Sequence, residues 1–169
     1  MSELTPIEIQ RRVDLLTTQI MGQHLDTILE QITKLAKDFK IAQDTKEKSP
    51  FRNVLTVATE PGSSLEVIKN YIRYQVGRKG SSAIWKDGKG AFSKELVARL
   101  DNLKINAKTI FQDLQSTLVK TNQDAQQTIQ EYLKLEQDRL EKEAHLKLAQ
   151  LYLGYLAREH TALIGESSR

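Results

Sequence analysis

The chain has no cysteine, only three prolines and eight glycines in 169 residues, and an aromatic content of 6%. Each scarcity excludes something. Without cysteine there are no disulfides and no thiolate metal sites, which fits a reducing compartment. Few prolines and glycines leave long stretches without helix breakers. No apolar run approaches the roughly 20 residues that a membrane-spanning helix needs. Met1 to Glu8 is polar and acidic, unlike a secretory leader. A soluble cytoplasmic protein is expected. At this length one domain, spanning residues 1–169, can enclose a sizeable core.

What is present is helical. Apolar residues recur at 3–4 spacing, with no alternation of the strand kind. The expected fold is all-α: a bundle of about five helices ending in a long charged C-terminal helical region, residues 122–163. Thr5-Pro6-Ile7-Glu8 opens the first helix with a capping box and a proline at its first position. Ile7, Val13, Leu16, Ile20, Leu25, Ile28, Leu29, Ile32, Leu35 and Phe39 carry its stripe, and Gly22 is a candidate bend. Asp44 to Lys48 reads as a polar connector. Phe92 to Leu118 is another long helix, with Ser93 a plausible cap and Leu96, Leu100, Leu103, Ala107, Ile110, Leu114 and Leu118 on one face. In the last region, Gln126 to Lys147 is dense in Glu, Gln and Lys, with a thin seam at Ile129, Leu133 and Leu140. Such a seam suggests projection from the body or packing on a neighbouring subunit.

Between these long elements lie two short helical patterns separated by Pro61-Gly62. Ser49-Pro50 reads as a cap followed by an N1 proline, with Phe51, Val54, Leu55 and Ala58 on one face. Ser63-Ser64-Leu65-Glu66 has capping-box spacing. Leu65, Ile68, Ile72 and Val76 follow as a stripe, widened by Tyr71 and Tyr74. Lys69, Asn70, Arg73 and Gly77 fall on the opposite wedge. Gly77 there either admits a bulky partner close to the backbone or marks an early helix end.

Charge is unevenly spread. Lys69, Arg73, Arg78, Lys79, Lys86, Lys89 and Lys94 fall within residues 69–94, where Asp87 is the only acid, while the whole chain is +3. One basic patch on an otherwise slightly acidic chain is the footprint of a polyanionic partner; a solvated loop with incidental lysines is the alternative. Residues 80–90, GSSAIWKDGKG, read as a basic glycine-rich loop. This is no P-loop, because G-x-x-x-x-G-K-[ST] is absent and a helix precedes it where a strand is required. Trp85, the only tryptophan, either stacks on a base or tucks into the core and pins the loop. Lys94, Lys104 and Lys108 lie off the stripe of their helix and either extend the basic surface or are simply solvated.

Catalysis finds little support. His24, His145 and His160 lie far apart, and none has a ligand partner at i+3 or i+4. There is no cysteine nucleophile and no Gly-x-Ser-x-Gly elbow. Carboxylates such as Glu141 and Glu143 sit in helix-surface patterns. A non-enzyme without cofactor is expected.

Ser49, Arg52, Asn53 and Leu55, followed by Tyr74, Gln75, Gly77 and Arg78, carry a family resemblance. A Ser-x-x-Arg-Asn-hydrophobic-Leu helix and then a hydrophobic helix ending Tyr-Gln-x-Gly-Arg resemble the small helical subunit of type III-A (Csm-type) CRISPR effector complexes. The resemblance covers about 30 residues closely and the helical layout loosely. The Tyr-Gly-Gly that closes that family is missing, with Tyr152 and Tyr155 standing nearest to it, and the charged segment lengthens the chain. The resemblance implies a non-catalytic subunit in antiviral defence. Such a subunit stacks in several copies along a guide RNA–target RNA duplex, beside other subunits, and touches the duplex backbone without reading sequence. Arg52, Lys69, Arg73, Arg78, Lys79 and Lys86 are the expected RNA-binding residues, with Arg52 and Arg78 also open to a structural role at helix ends. A helical scaffold or coiled-coil adaptor without nucleic-acid binding is the competing expectation.

Overall fold

The structure is a computed structural model that describes residues 4–43 and 49–168. Among these there are five α-helices, one 3₁₀ turn and no strand, so the fold class is all-α as expected. The helices are α1 (Pro6–Asp38), α2 (Arg52–Thr59), α3 (Leu65–Gly77), α4 (Ala83–Thr121) and α5 (Gln126–Ser167). The connector expected at Asp44 to Lys48 lies outside the described residues. No described helix is long and apolar enough to cross a membrane.

The chain divides into two compact units, Met1–Leu25 with Lys104–Leu148, and Asp26–Leu103 with Ala149–Arg169. In the first unit the capping box forms. The Thr5 N–H donates to Glu8 Oε2 at 2.8 Å and the Glu8 N–H to Thr5 Oγ1 at 3.3 Å. The Thr5 N–H and then the Thr5 hydroxyl, which also donates to Glu8 Oε2 at 2.8 Å, favour the ionised carboxylate and hold the Glu8 carboxyl below its usual range. Ile9, Val13, Ile20 and Met21 are buried, whereas Ile7 is 68% exposed, so the buried stripe of α1 starts two residues later than expected. Gly22 does not interrupt the helix. Ile110, Leu114 and Leu118 of α4 are buried in the same unit.

The thin seam of α5 is also corrected. Ile129 and Leu133 are fully buried and Leu140 nearly so. Polar side chains complete this packing: the Tyr132 hydroxyl donates to Gln10 Oε1, and Arg139 donates to the same oxygen at 2.8 Å while pairing with Glu136 and Glu143. Two apolar residues per two turns therefore suffice once amides and guanidinium stems cover the flanks.

In the second unit, the Ser64 side chain accepts from the Val67 N–H at 3.2 Å and caps α3. The cap is thus Ser64 and not Ser63, whose buried hydroxyl has no partner. Ser49 does not cap α2 either. Its N-cap is Phe51, without a side-chain bond, because that ring is drawn fully into the core. Phe51 packs edge-on to Trp85 at 5.7 Å and to the His160 ring at 5.6 Å, and Trp85 packs against Phe92 at 5.8 Å. Gln75 of α3 is 3% exposed, a buried polar residue that the apolar stripe did not foretell.

Tyr152 of α5 is fully buried, its hydroxyl has no partner, and burial pushes the phenol from 10.0 up to about 12. Above its ordinary value the phenol ionises in the unfolded chain first. The unfolded state then binds fewer protons, and stability falls between about pH 10 and pH 12. Tyr152→Phe removes that component, so the variant should gain about 1 kcal/mol on the parent by pH ~11. At neutral pH, losing an unpaired hydroxyl should leave stability level or raise it by up to ~1 kcal/mol. Urea midpoints at the two pH values check both, and a variant less stable than the parent at neutral pH would show that the hydroxyl has a partner.

Candidate nucleic-acid interface

The loop expected at residues 80–90 forms only in part, at 80–82 and 87–90. Residues 83–86 make a first helical turn of α4, and the chain then reverses hand. Gly88, Lys89 and Gly90 follow one another at φ +57°, +58° and +76° before the long part of α4 begins. Trp85, 1% exposed, is part of the core, and its carbonyl accepts from Ser93 Oγ at 3.1 Å. Of the two roles open to it, it takes the structural one. Ser93 ties this turn together instead of capping a helix.

This geometry shapes a groove of about 1070 Å³ in the second unit, walled by α3 and by the stretch of α4 from Lys89 to Val97. Its deep surface is apolar: Ile72 is buried, and Val76 and Val97 are half-buried. Its lip carries Arg73, Lys89 and Lys94, all exposed, with Asn70 and Gly77 beside them. Three cations distant in sequence thus share one cleft, where positive potential is concentrated by low-dielectric walls.

Lys69 lines the groove too, but its ammonium is engaged. It donates to Glu66 at 2.7 Å and to Asp101 at 3.1 Å. The hydrogen bond to Glu66, then that to Asp101, holds its pKa above the usual lysine value. A phosphate approaching Lys69 therefore meets two carboxylates as well, so Lys69 is a poorer anion site than expected.

The other expected residues lie outside the groove lining. Arg78 is half-buried and ends α3; its N–H donates to the Tyr74 carbonyl at 2.9 Å and its guanidinium lies over the Tyr74 ring, 5.9 Å from the centroid. Its Nε is buried without a partner. Neither a carbonyl clamp nor a carboxylate explains that side chain. Lys79 and Lys86 are exposed. Arg52 is exposed at the first position of α2, where the helix dipole disfavours a cation. Of the six, only Lys69 and Arg73 are brought together. Lys89 and Lys94 join them, and the signal for Lys89 was its place between two glycines.

Among the described residues, no group of three His, Asp or Glu side chains is placed to hold a metal ion. No family model, curated protein or solved structure matches the chain.

Proposed function

We propose that the protein is a non-catalytic, RNA-binding small subunit of a type III CRISPR ribonucleoprotein effector, working in the cytoplasm in antiviral defence. Its partners are guide RNA, target RNA and the other subunits, further copies of itself among them. The family resemblance on Ser49–Leu55 and Tyr74–Arg78 supports the assignment to an effector. The observation that carries RNA binding is the gathering of Arg73, Lys89 and Lys94 on the lip of one groove. Such cations neutralise phosphates, release counterions and hold a strand without choosing its sequence. Exposed Arg52, Lys79 and Lys86 extend the same positive field over the unit.

The test replaces Arg73, Lys89 and Lys94 by alanine, checks helicity and melting, and measures RNA affinity by fluorescence anisotropy across a salt series. Affinity should fall about tenfold for every sequence alike, and the slope of log K against log salt should flatten by ~0.7–0.9 for each phosphate that is no longer neutralised. Lys69→Ala should change the slope less, because its charge is already paired. A folded triple variant with unchanged affinity and slope would remove the basis for RNA binding here. Purification from the native cell tests the assignment to an effector, which requires a short guide RNA and larger subunits to accompany the chain.

A further inference from the structure

The cations account for only the lip of the groove. A phosphodiester backbone gains nothing from an apolar surface beneath it, and a duplex keeps its bases stacked inside. Yet Ile72, Val76 and Val97 line this groove, and so does Val67, which is 44% exposed. Asn70, in the middle of α3, adds an exposed side-chain amide to the groove lining, and that amide can both donate and accept. The volume of about 1070 Å³ has room for far more than a phosphate group, since pockets that hold drug-sized ligands measure roughly 300–1,000 Å³. We infer that the α3–α4 groove binds unpaired RNA, with bases laid against the valines and the flanking phosphates held by Arg73, Lys89 and Lys94.

This rests on the RNA-binding reading and narrows it from backbone contact in general to single strands. Charge complementarity favours a polyanionic occupant: four cations and one carboxylate, Glu66, line the groove, and Glu66 is already bonded to Lys69. Sequence preference should be weak, because an aliphatic surface accepts any base face.

Three probes separate the parts of the inference: a labelled oligouridine, the same strand with abasic positions, and an RNA duplex of equal length. The abasic strand keeps every phosphate. It should bind the unaltered protein about tenfold more weakly than oligouridine, with the same salt slope. The double variant Val67→Thr, Val97→Thr keeps side-chain shape while making the surface polar. It should weaken oligouridine about tenfold and leave abasic and duplex binding unchanged. Should the variant lose helicity, the abasic comparison on the unaltered protein decides alone. Equal affinity for abasic strand and oligouridine would overturn base insertion while leaving backbone binding intact. Absence of any salt-dependent RNA binding would overturn both, and would leave an acidic amphipathic protein helix as the occupant that the groove fits.

Discussion

Trp85→Ala should lower the free energy of unfolding by about 3–5 kcal/mol, as deletion of a buried aromatic ring commonly does. Trp85 is 1% exposed and meets Phe51 at 77° and Phe92 at 61°, both edge-on contacts that add to the burial of area. The cluster extends through Phe92 to Phe39 at 5.5 Å and through Phe51 to His160, so it joins segments that lie far apart in sequence. An alanine cannot be compensated by collapse of one neighbour. Because typical domains are stable by only 5–15 kcal/mol, this loss should be obvious in a urea titration followed by far-UV circular dichroism. In the unaltered protein the indole should emit as a buried fluorophore and should not respond to added RNA. A loss below about 1 kcal/mol, or fluorescence quenched by RNA, would return Trp85 to the stacking role.

Much of the helical layout was legible because helix propensity, capping and periodicity agree along most of the chain. Leu96, Leu100, Leu103, Ala107, Ile110, Leu114 and Leu118 are all buried, as their spacing requires. The failures cluster where tertiary packing overrides a local signal. Ser49-Pro50 has the chemistry of a helix start, but burial of Phe51 moves the start to Arg52. Residues 80–90 have loop composition, yet core packing of Trp85 draws the first half into a helical turn. The seam of α5 looks thin because the Gln10 amide and the Arg139 stem, which complete its packing, are polar in any hydropathy pattern.

The site was legible in charge and illegible in geometry. Seven cations in one window announced a positive surface, but the partition among them depends on contacts across the fold. Glu66 lies three residues before Lys69, a pairing visible on a helical wheel, whereas Asp101 lies 32 residues beyond it. Lys89 and Lys94 share a groove with Arg73 in a fold where the chain reverses hand at Gly88–Gly90. The apolar depth of the groove is equally hidden, since Val76 and Val97 look like ordinary members of two separate helix stripes.

That reversal makes the final prediction. Gly90→Ala should destabilise the protein by about 2–4 kcal/mol, more than a glycine substitution on a helix surface. Two costs combine. At φ +76° an L side chain is strained by about 1–2 kcal/mol. The new Cβ would also stand 3.3 Å from Val76 Cγ1 and 3.7 Å from the Trp85 carbonyl, so the wall of the groove must shift. Gly88→Ala should cost only the backbone part, because its nearest neighbour is Ala91 Cβ at 3.4 Å. Lys89→Gly runs the other way. Lys89 already sits at φ +58°, and glycine relieves that strain while gaining freedom in the unfolded chain, two effects of similar size. Lys89→Gly should therefore lie within ~0.5 kcal/mol of the parent while weakening RNA binding, which separates the fold's need for this turn from the cation that it presents. Urea midpoints for the three variants give the order Lys89→Gly, Gly88→Ala, Gly90→Ala from most to least stable. If Gly90→Ala proved as stable as Lys89→Gly, the left-handed turn would not be what holds Lys89 and Lys94 beside Arg73.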